Sequence, residues 1–381
     1  MDQSVNVNQM NRINQRQSNL ELFRIIVMLL IIAGHYVSNS GLAVASGPVR
    51  MNMMAPRSQF LLQIGGWGKV GINCFVLITG YFMCQSHISP VKFIKLFSQV
   101  LFYNVLIGSI FMLTGYEPFS IAKIIKMLLP IRILSDGFTS TFLVFYLCIP
   151  FLNVLIHHLN ERQHIRLIVF CLLIYVLPAT VPGFGITFNY VSWFAVLYFI
   201  ASFIRFYPKK FYKNQKLWTA AMIGSILASM LSITAFSWIS TKINEFVTYQ
   251  FLIDSNAILA VVTAVCSFMF FHNLPLGSNR IINTISATTF GVLLIHANSD
   301  TMRNWLWKDV LDNVYAYSQP WLYLHVLLSV IGVFVICSGI DLLRMKWVEA
   351  PYLRWISKKL PAISSRYMKF EDFLYQKFQN S

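Results

Sequence analysis

Apolar runs of membrane-crossing length recur along the chain, separated by short polar segments. The first, LELFRIIVMLLIIAGHYV at about 20–38, follows a polar stretch rich in Asn and Gln. Further runs fall near 66–84, 95–115, 139–159, 165–178, 188–206, 217–240, 250–271, 281–297 and 321–345. About 20 apolar residues in a helix cross the roughly 30 Å hydrocarbon core of a bilayer. With no water there to satisfy the backbone, a spanning segment is a helix or part of a closed barrel. The pattern predicts an all-α membrane protein, a bundle of about ten transmembrane helices. The first run is interrupted by charge and lacks a small-residue cleavage site, so it reads as a retained helix and not as a signal peptide. Composition sharpens this: 56% of the 381 residues are hydrophobic and 12% are charged, about half the charge of a soluble domain. That excludes soluble and disordered classes alike.

Charge gives the orientation. There are 30 Lys and Arg against 14 Asp and Glu, a net +16. The basic residues gather between apolar runs, as in loops held in the cytoplasm beside an anionic leaflet. No nucleic-acid module accompanies them, so membrane lipid is the expected partner and nucleic acid is not. The segment 205–216 carries Arg205, Lys209, Lys210, Lys213 and Lys216 with no acid, and is expected inside. The segment 178–190 carries none and is expected outside. The tail from Arg344 is basic, and Arg12 and Arg16 lie in the N-terminal tail, so both termini are expected to be cytoplasmic. Residues 116–138 would then lie outside, and the apolar pattern with Lys123 and Lys126 around 120–129 predicts a short interfacial helix. The domain division is a polar disordered tail over 1–18, a transmembrane domain over 19–350, and a basic amphipathic cytoplasmic tail over 351–381. In that tail Tyr367, Phe370, Phe373 and Leu374 oppose Arg366, Lys369 and Glu371. Cys74, Cys84, Cys148, Cys171, Cys266 and Cys337 lie in apolar surroundings without CxxC spacing, so they read as small buried hydrophobes and no metal is expected.

An ionisable side chain inside a span is costly and marks a candidate site. Arg24 and His35 are eleven residues apart in the first helix; at 100° per residue they return to within about 20° of one face, about 16 Å apart along the axis. Glu21 can pair with Arg24 at i,i+3. Arg24 has two readings, a headgroup anchor or the holder of an anionic group at the inner face. His35 is either an interfacial histidine bonded to the backbone or a base. His296 ends the ninth span on the same side as His35, and Asp300 and Arg303 follow it. Asp341 and Arg344 form an i,i+3 pair near Glu349-Ala350-Pro351, a pattern that can be mutual neutralisation. The small residues of Gly71 to Gly80 suit close helix packing. No Gly-x-Ser-x-Gly elbow, phosphate loop or His-Glu-x-x-His motif occurs.

Four segments together resemble the integral-membrane acyltransferase family 3, which includes bacterial surface-polysaccharide O-acetyltransferases. Asn19-Leu-Glu-Leu-Phe-Arg24 leading to Gly34-His35-Tyr36 is similar to the family's opening helix, with its Arg and later His. Gly71 to Phe82 is similar to Gly-Val-Asp-Leu-Phe-Phe-Val-Leu-Ser-Gly-Phe, with Asn73 for the acid and Thr79 for the Ser. Thr289-Phe-Gly-Val-Leu-Leu-Ile-His296 is similar to Ser-Ile-Tyr-Leu-Trp-His without its Trp, and Glu349-Ala-Pro351 to a closing Glu-x-Pro. The resemblance implies an acyl-CoA donor, usually acetyl-CoA, used from the cytoplasm, and a sugar or polysaccharide hydroxyl at the outer face as acceptor. It implies a multi-pass protein of the bacterial cell membrane; with no extracellular domain read after the last helix, the stand-alone membrane form is expected.

On that reading His35 is the base or a transiently acylated nucleophile, and His296 binds the acceptor or polarises the thioester carbonyl. Arg24 and the 205–216 loop with Arg205 would hold the polyanionic CoA headgroup. Asn73, Thr79, Asp300 and Arg303 are the expected acceptor contacts, and Glu349 an anchor of the helix end. The competing class is a carrier, flippase or polymerase for a lipid-linked glycan. A carrier often shows inverted repeats, of which the halves of this chain carry no convincing example. A polymerase is expected to have a longer polar outer loop than the one at about 298–320, which leads into the aromatic stretch WLWKDVLDNVYAYSQPW at 305–321.

Overall fold

Helix α1 (Ser18–Ser38) occupies the first apolar run, and its 21 residues match the thickness of a hydrocarbon core. The structure, a computed structural model, describes residues 17–86, 90–131, 137–181 and 189–359. Most of the expected N-terminal tail, Arg132 and the amphipathic stretch beyond 359 lie outside the described residues. After a turn at Pro48–Met51 come α2 (Pro56–Gly65) and α3 (Trp67–Met83), then α4 (Pro90–Leu113), a short α5 (Ile121–Leu128) and α6 (Phe138–His158). They are followed by α7 (Glu161–Thr180), α8 (Tyr190–Phe206), α9 (Gln215–Ile243) and α10 (Ile258–His272). Next, α11 (Arg280–Ser286) and α12 (Thr289–His296) make an interrupted segment, and α13 (Asp300–Asn304) runs into a π-helical turn at Trp305–Val310. After α14 (Asn313–Ser318), α15 (Leu322–Arg344) continues through a second π-helical turn, Met345–Glu349, into α16 (Ala350–Lys359).

Each of the ten apolar runs falls on a helix. Seven segments are long and apolar enough to cross a membrane. An eighth is formed if the segment 280–296 is joined to 300–310, to which it is bent by 93°. Helices α8 and α10 are apolar but shorter, at 17 and 15 residues. The run predicted over 250–271 begins as a helix only at Ile258, because Asp254 accepts the Ser255 N–H through its side chain at 2.7 Å and the Ala257 N–H through its carbonyl at 3.0 Å. Such a turn diverts the backbone from a helix. No strand occurs among the described residues. This is an all-α membrane protein.

Helix α1 is the axis of the bundle, packed against α2, α3, α10, α11, α12 and α15. Its closest approach is to the start of α3: a Cβ on Gly34 would lie 3.1 Å from the Gly68 Cα, so the two backbones touch. Helices α9 and α10 pack through small hydroxyl residues, with Ser229 and Thr263 3.2 Å apart. Outward faces of α9 and α15 carry exposed Leu231, Leu327, Leu328 and Ile336, as lipid contact demands. The short helix expected near 120–129 is α5; none of its residues is buried, and Ile121, Ile125 and Leu128 are exposed. Lys123 ties it to Glu117 at 2.5 Å.

Between α4, α12 and α15 lies a buried ionic network. Asp341 Oδ1 accepts from Arg344 Nε at 2.7 Å and from the Tyr103 hydroxyl at 2.7 Å. Arg344 Nη1 also donates to Glu349 Oε2 at 2.7 Å, and Lys95 reaches Glu349 Oε1 at 2.6 Å. The Asp341 carboxylate presses on the Cα of Gly291, where any side chain would overlap it. The i,i+3 pair expected from sequence is thus part of a four-charge cluster that fastens α4 to the end of α15.

Candidate active site

Two histidines meet at one end of the bundle. His35 Nδ1 of α1 and His296 Nε2 of α12 are 3.0 Å apart, and His296 Nδ1 lies 2.6 Å from the Val292 carbonyl oxygen. A carbonyl only accepts, so His296 Nδ1 carries the proton and donates. With that ring neutral its Nε2 is an acceptor, and the His35 Nδ1–H donates to it. The chain of bonds leaves a lone pair on His35 Nε2. His296 is fully buried, and both of its nitrogens are committed. Trp307 packs edge-on against His296 and against Tyr36, at centroid distances of 6.5 and 5.9 Å. The Tyr36 hydroxyl lies 2.8 Å from His325 Nδ1, and Asn313 donates to the Tyr36 carbonyl at 3.0 Å. These contacts fix the end of α1.

His35 lines a cavity of about 750 Å³, within the range of small-molecule sites. Met28, Ile31 and His35 face it from α1, at the spacing of one helical stripe, and Arg24 is the next step of that stripe. Ile72 and Phe75 of α3 and Val100 of α4 add apolar wall. The polar wall includes Lys69, Tyr190, Asn104, Asn298 and Arg303. Lys69 Nζ donates to the Tyr190 hydroxyl at 2.6 Å and to Asp254 Oδ1 at 2.9 Å, and that hydroxyl donates to the same carboxylate at 2.7 Å. Asn298 donates to Asn104 at 3.1 Å. Arg303 pairs with Asp300 at 2.6 Å, with the Asp300 carboxylate almost fully exposed. Tyr249, between α9 and α10, also lines the cavity; burial raises its phenol pKa, and it donates to the Leu62 carbonyl at 2.9 Å.

At the other end of α1, Arg24 Nη1 pairs with Glu21 at 3.4 Å, and the same carboxylate oxygen accepts from Ser286. Arg24 also stands 6.0 Å from the Phe82 ring centre. The neighbouring Tyr81 hydroxyl accepts from Arg205 at 2.7 Å and lies 2.7 Å from His272 Nε2. Arg24 and Arg205 therefore approach consecutive residues of α3.

The structure brings His35, His296 and Arg303 to the cavity region, with Asp300 held on Arg303. It does not bring Asn73 or Thr79 there. Asn73 is fully buried, donating to the Ser255 carbonyl at 2.6 Å and accepting from Trp193 at 3.0 Å, and Thr79 bonds back to the Phe75 carbonyl at 2.9 Å. Their polar atoms serve helix packing. Sequence reasoning missed Lys69, Tyr190 and Asp254. Lys69 did carry a signal, as a charge in an apolar segment; Tyr190 and Asp254 come from distant segment ends and carry none.

No curated protein and no solved structure matches the chain. A family model described as an acyltransferase domain matches residues 17–340, a range that includes Arg24, His35, Lys69 and His296 and ends before Glu349-Ala350-Pro351. With an all-α membrane bundle, a histidine base candidate open to a cavity, and a match over most of its length, the chain belongs to acyltransferase family 3 and is a membrane-bound acyltransferase.

Proposed function

We propose that the protein transfers an acyl group, acetyl in the simplest case, from cytoplasmic acyl-CoA to a hydroxyl of a cell-surface or extracellular polysaccharide or its lipid-linked precursor. The observation that carries this reading is the single stripe of α1 with Arg24 at one end and the cavity-facing His35 at the other. On this reading the Arg24 end faces the cytoplasm and the His35 end faces outward, an orientation that the basic 205–216 segment supports. The CoA phosphates would sit among Arg24 and Arg205, planar cations suited to phosphate. The slender pantetheine arm would pass Met28 and Ile31 toward His35.

A sugar hydroxyl is a poor nucleophile at pH 7 until its proton is taken in the act of attack. His35 Nε2 receives that proton as the hydroxyl oxygen bonds to the thioester carbon. The C–S bond then breaks, and the imidazolium returns the proton to the CoA sulfur. His296 Nε2, accepting from His35 Nδ1, holds the ring in the tautomer that makes Nε2 basic and is the near partner of the developing positive charge.

Membranes carrying the protein, opened to admit labelled acetyl-CoA, test the assignment: CoA release and label in glycan should both depend on it. No release above membranes lacking the protein, with several acyl groups and acceptors tried, would favour a carrier. Arg24→Ala is expected to raise the KM for acyl-CoA about tenfold, the loss of a charge-assisted contact, and Arg24→Lys by less. Equal KM values across the three would reduce Arg24 to a topological anchor. His296→Ala is expected to lower kcat about 10²-fold by freeing the His35 ring, with KM for acyl-CoA near wild type; steady-state kinetics on the same membranes check it.

A further inference from the structure

We propose that Lys69 is a catalytic residue, the donor that receives the thioester carbonyl oxygen as it becomes an oxyanion. The inference rests on the acyl-transfer reading above. It begins from a vacancy in that mechanism. His296 was the expected polariser of the carbonyl, but its Nδ1–H goes to Val292 and its Nε2 to His35, so it has no N–H for a substrate oxygen. Negative charge developing on the carbonyl oxygen calls for a fixed donor.

The described cations lining the cavity are Lys69 and Arg303. Arg303 stands beyond the bend of the chain, and its guanidinium donates to Asp300 and, at 3.4 Å, to the Ala297 carbonyl. Lys69 is held from α3 by two bonds that leave its ammonium in the cavity wall. The backbone contact of Gly34 with Gly68 brings the residues that follow them, His35 and Lys69, to the same cavity. An ammonium has three N–H donors. Two are used, on Tyr190 and Asp254; the third has no acceptor among the described residues. Those two bonds hold the ammonium in place before substrate arrives, and Asp254 balances its charge. This is a pre-oriented donor, the arrangement that oxyanion stabilisation needs.

In the reaction the acceptor oxygen bonds to the carbonyl carbon while its proton passes to His35 Nε2. The carbonyl electron pair moves onto oxygen, which accepts a hydrogen bond from Lys69 Nζ without taking its proton. The pair then returns, the C–S bond breaks, and the CoA sulfur takes the proton from His35 Nε2. The acylated hydroxyl and CoA thiol leave, and Lys69 is unchanged throughout.

The test compares wild type with Lys69→Met, Lys69→Arg and Tyr190→Phe in glycan-containing membranes, following CoA release and glycan label from acetyl-CoA. Protection of each purified full-length protein from thermal unfolding by CoA reports donor binding independently of turnover. Lys69→Met is expected to lower kcat by about 10²–10³-fold, with KM for acetyl-CoA and the protection by CoA close to wild type. Lys69→Arg and Tyr190→Phe, which keep a cation but misplace it, are expected to lose about tenfold in kcat. Should Lys69→Met fail to accumulate, these two variants decide. Variants with wild-type kcat, or whose losses follow lost CoA protection, overturn the role of Lys69 and leave the proposed function standing. A wild type that binds CoA and transfers nothing overturns the proposed function and this inference with it.

Discussion

Replacing His35 with Ala is expected to lower acyl transfer by about 10³-fold, within the range general-base catalysis contributes, while the protein still inserts and still binds CoA. The size follows from the position of the ring. His35 Nε2 is the acceptor left open by the bond chain from His35 through His296 to the Val292 carbonyl, and its ring lines the cavity in which the thioester and hydroxyl would meet. Its replacement leaves no other imidazole among the residues lining that cavity, because His296 lies behind it. His35→Gln is expected to be as inactive as His35→Ala, since an amide can bond to His296 but cannot take a proton. Labelled glycan formed by either variant at a rate within tenfold of wild type would remove His35 from the mechanism.

The second large effect is on stability. Asp341→Leu is expected to destabilise the protein by about 3–5 kcal/mol, the cost of removing one member of a buried ion pair. The Asp341 side chain is fully buried, and Arg344 beside it is 6% exposed. Without the carboxylate, Arg344 Nε and the Tyr103 hydroxyl lose their acceptor, and two cations, Lys95 and Arg344, face Glu349 alone. The double variant Asp341→Leu/Arg344→Met should recover much of the loss, because it removes the stranded cation and keeps the Lys95–Glu349 pair. Thermal unfolding in detergent separates the outcomes: a single variant as stable as wild type, or a double variant less stable than the single, contradicts the network's role.

The helices were legible in the sequence because the apolar runs are nearly free of charge, and all ten lie on helices, of which seven, or eight with the bent pair, are long and apolar enough to cross a membrane. The shared face of Arg24 and His35 was legible too, since it follows from 100° per residue alone. The pairing of His35 with His296 was not: the two are 261 positions apart, and only the packing of α12 on α1 joins them. For the same reason His296 read as a substrate contact, when both its nitrogens belong to the protein. Asn73 was ambiguous in another way. A polar residue in an apolar run marks either a ligand or a buried partner, and Trp193 and Ser255, to which it bonds here, are remote in sequence. The Asp254 turn shortened a predicted span, because a local side-chain bond overrode a hydrophobic run.

The contact of Gly34 with Gly68 divides the labour of the cavity in a way that bears on its history. His35 and Lys69 each follow a glycine at which the main chains of α1 and α3 touch. Asn104 and Asn298, by contrast, reach the cavity from α4 and from the segment after α12, bonded to each other by their side chains, with Asn298 also on the Leu294 carbonyl at 3.1 Å. Such a wall can be exchanged residue by residue for a new acceptor while the reacting groups keep their register. On the proposed function, the choice of acceptor is expected to reside in that lining, with the two glycines as the fixed point of its geometry.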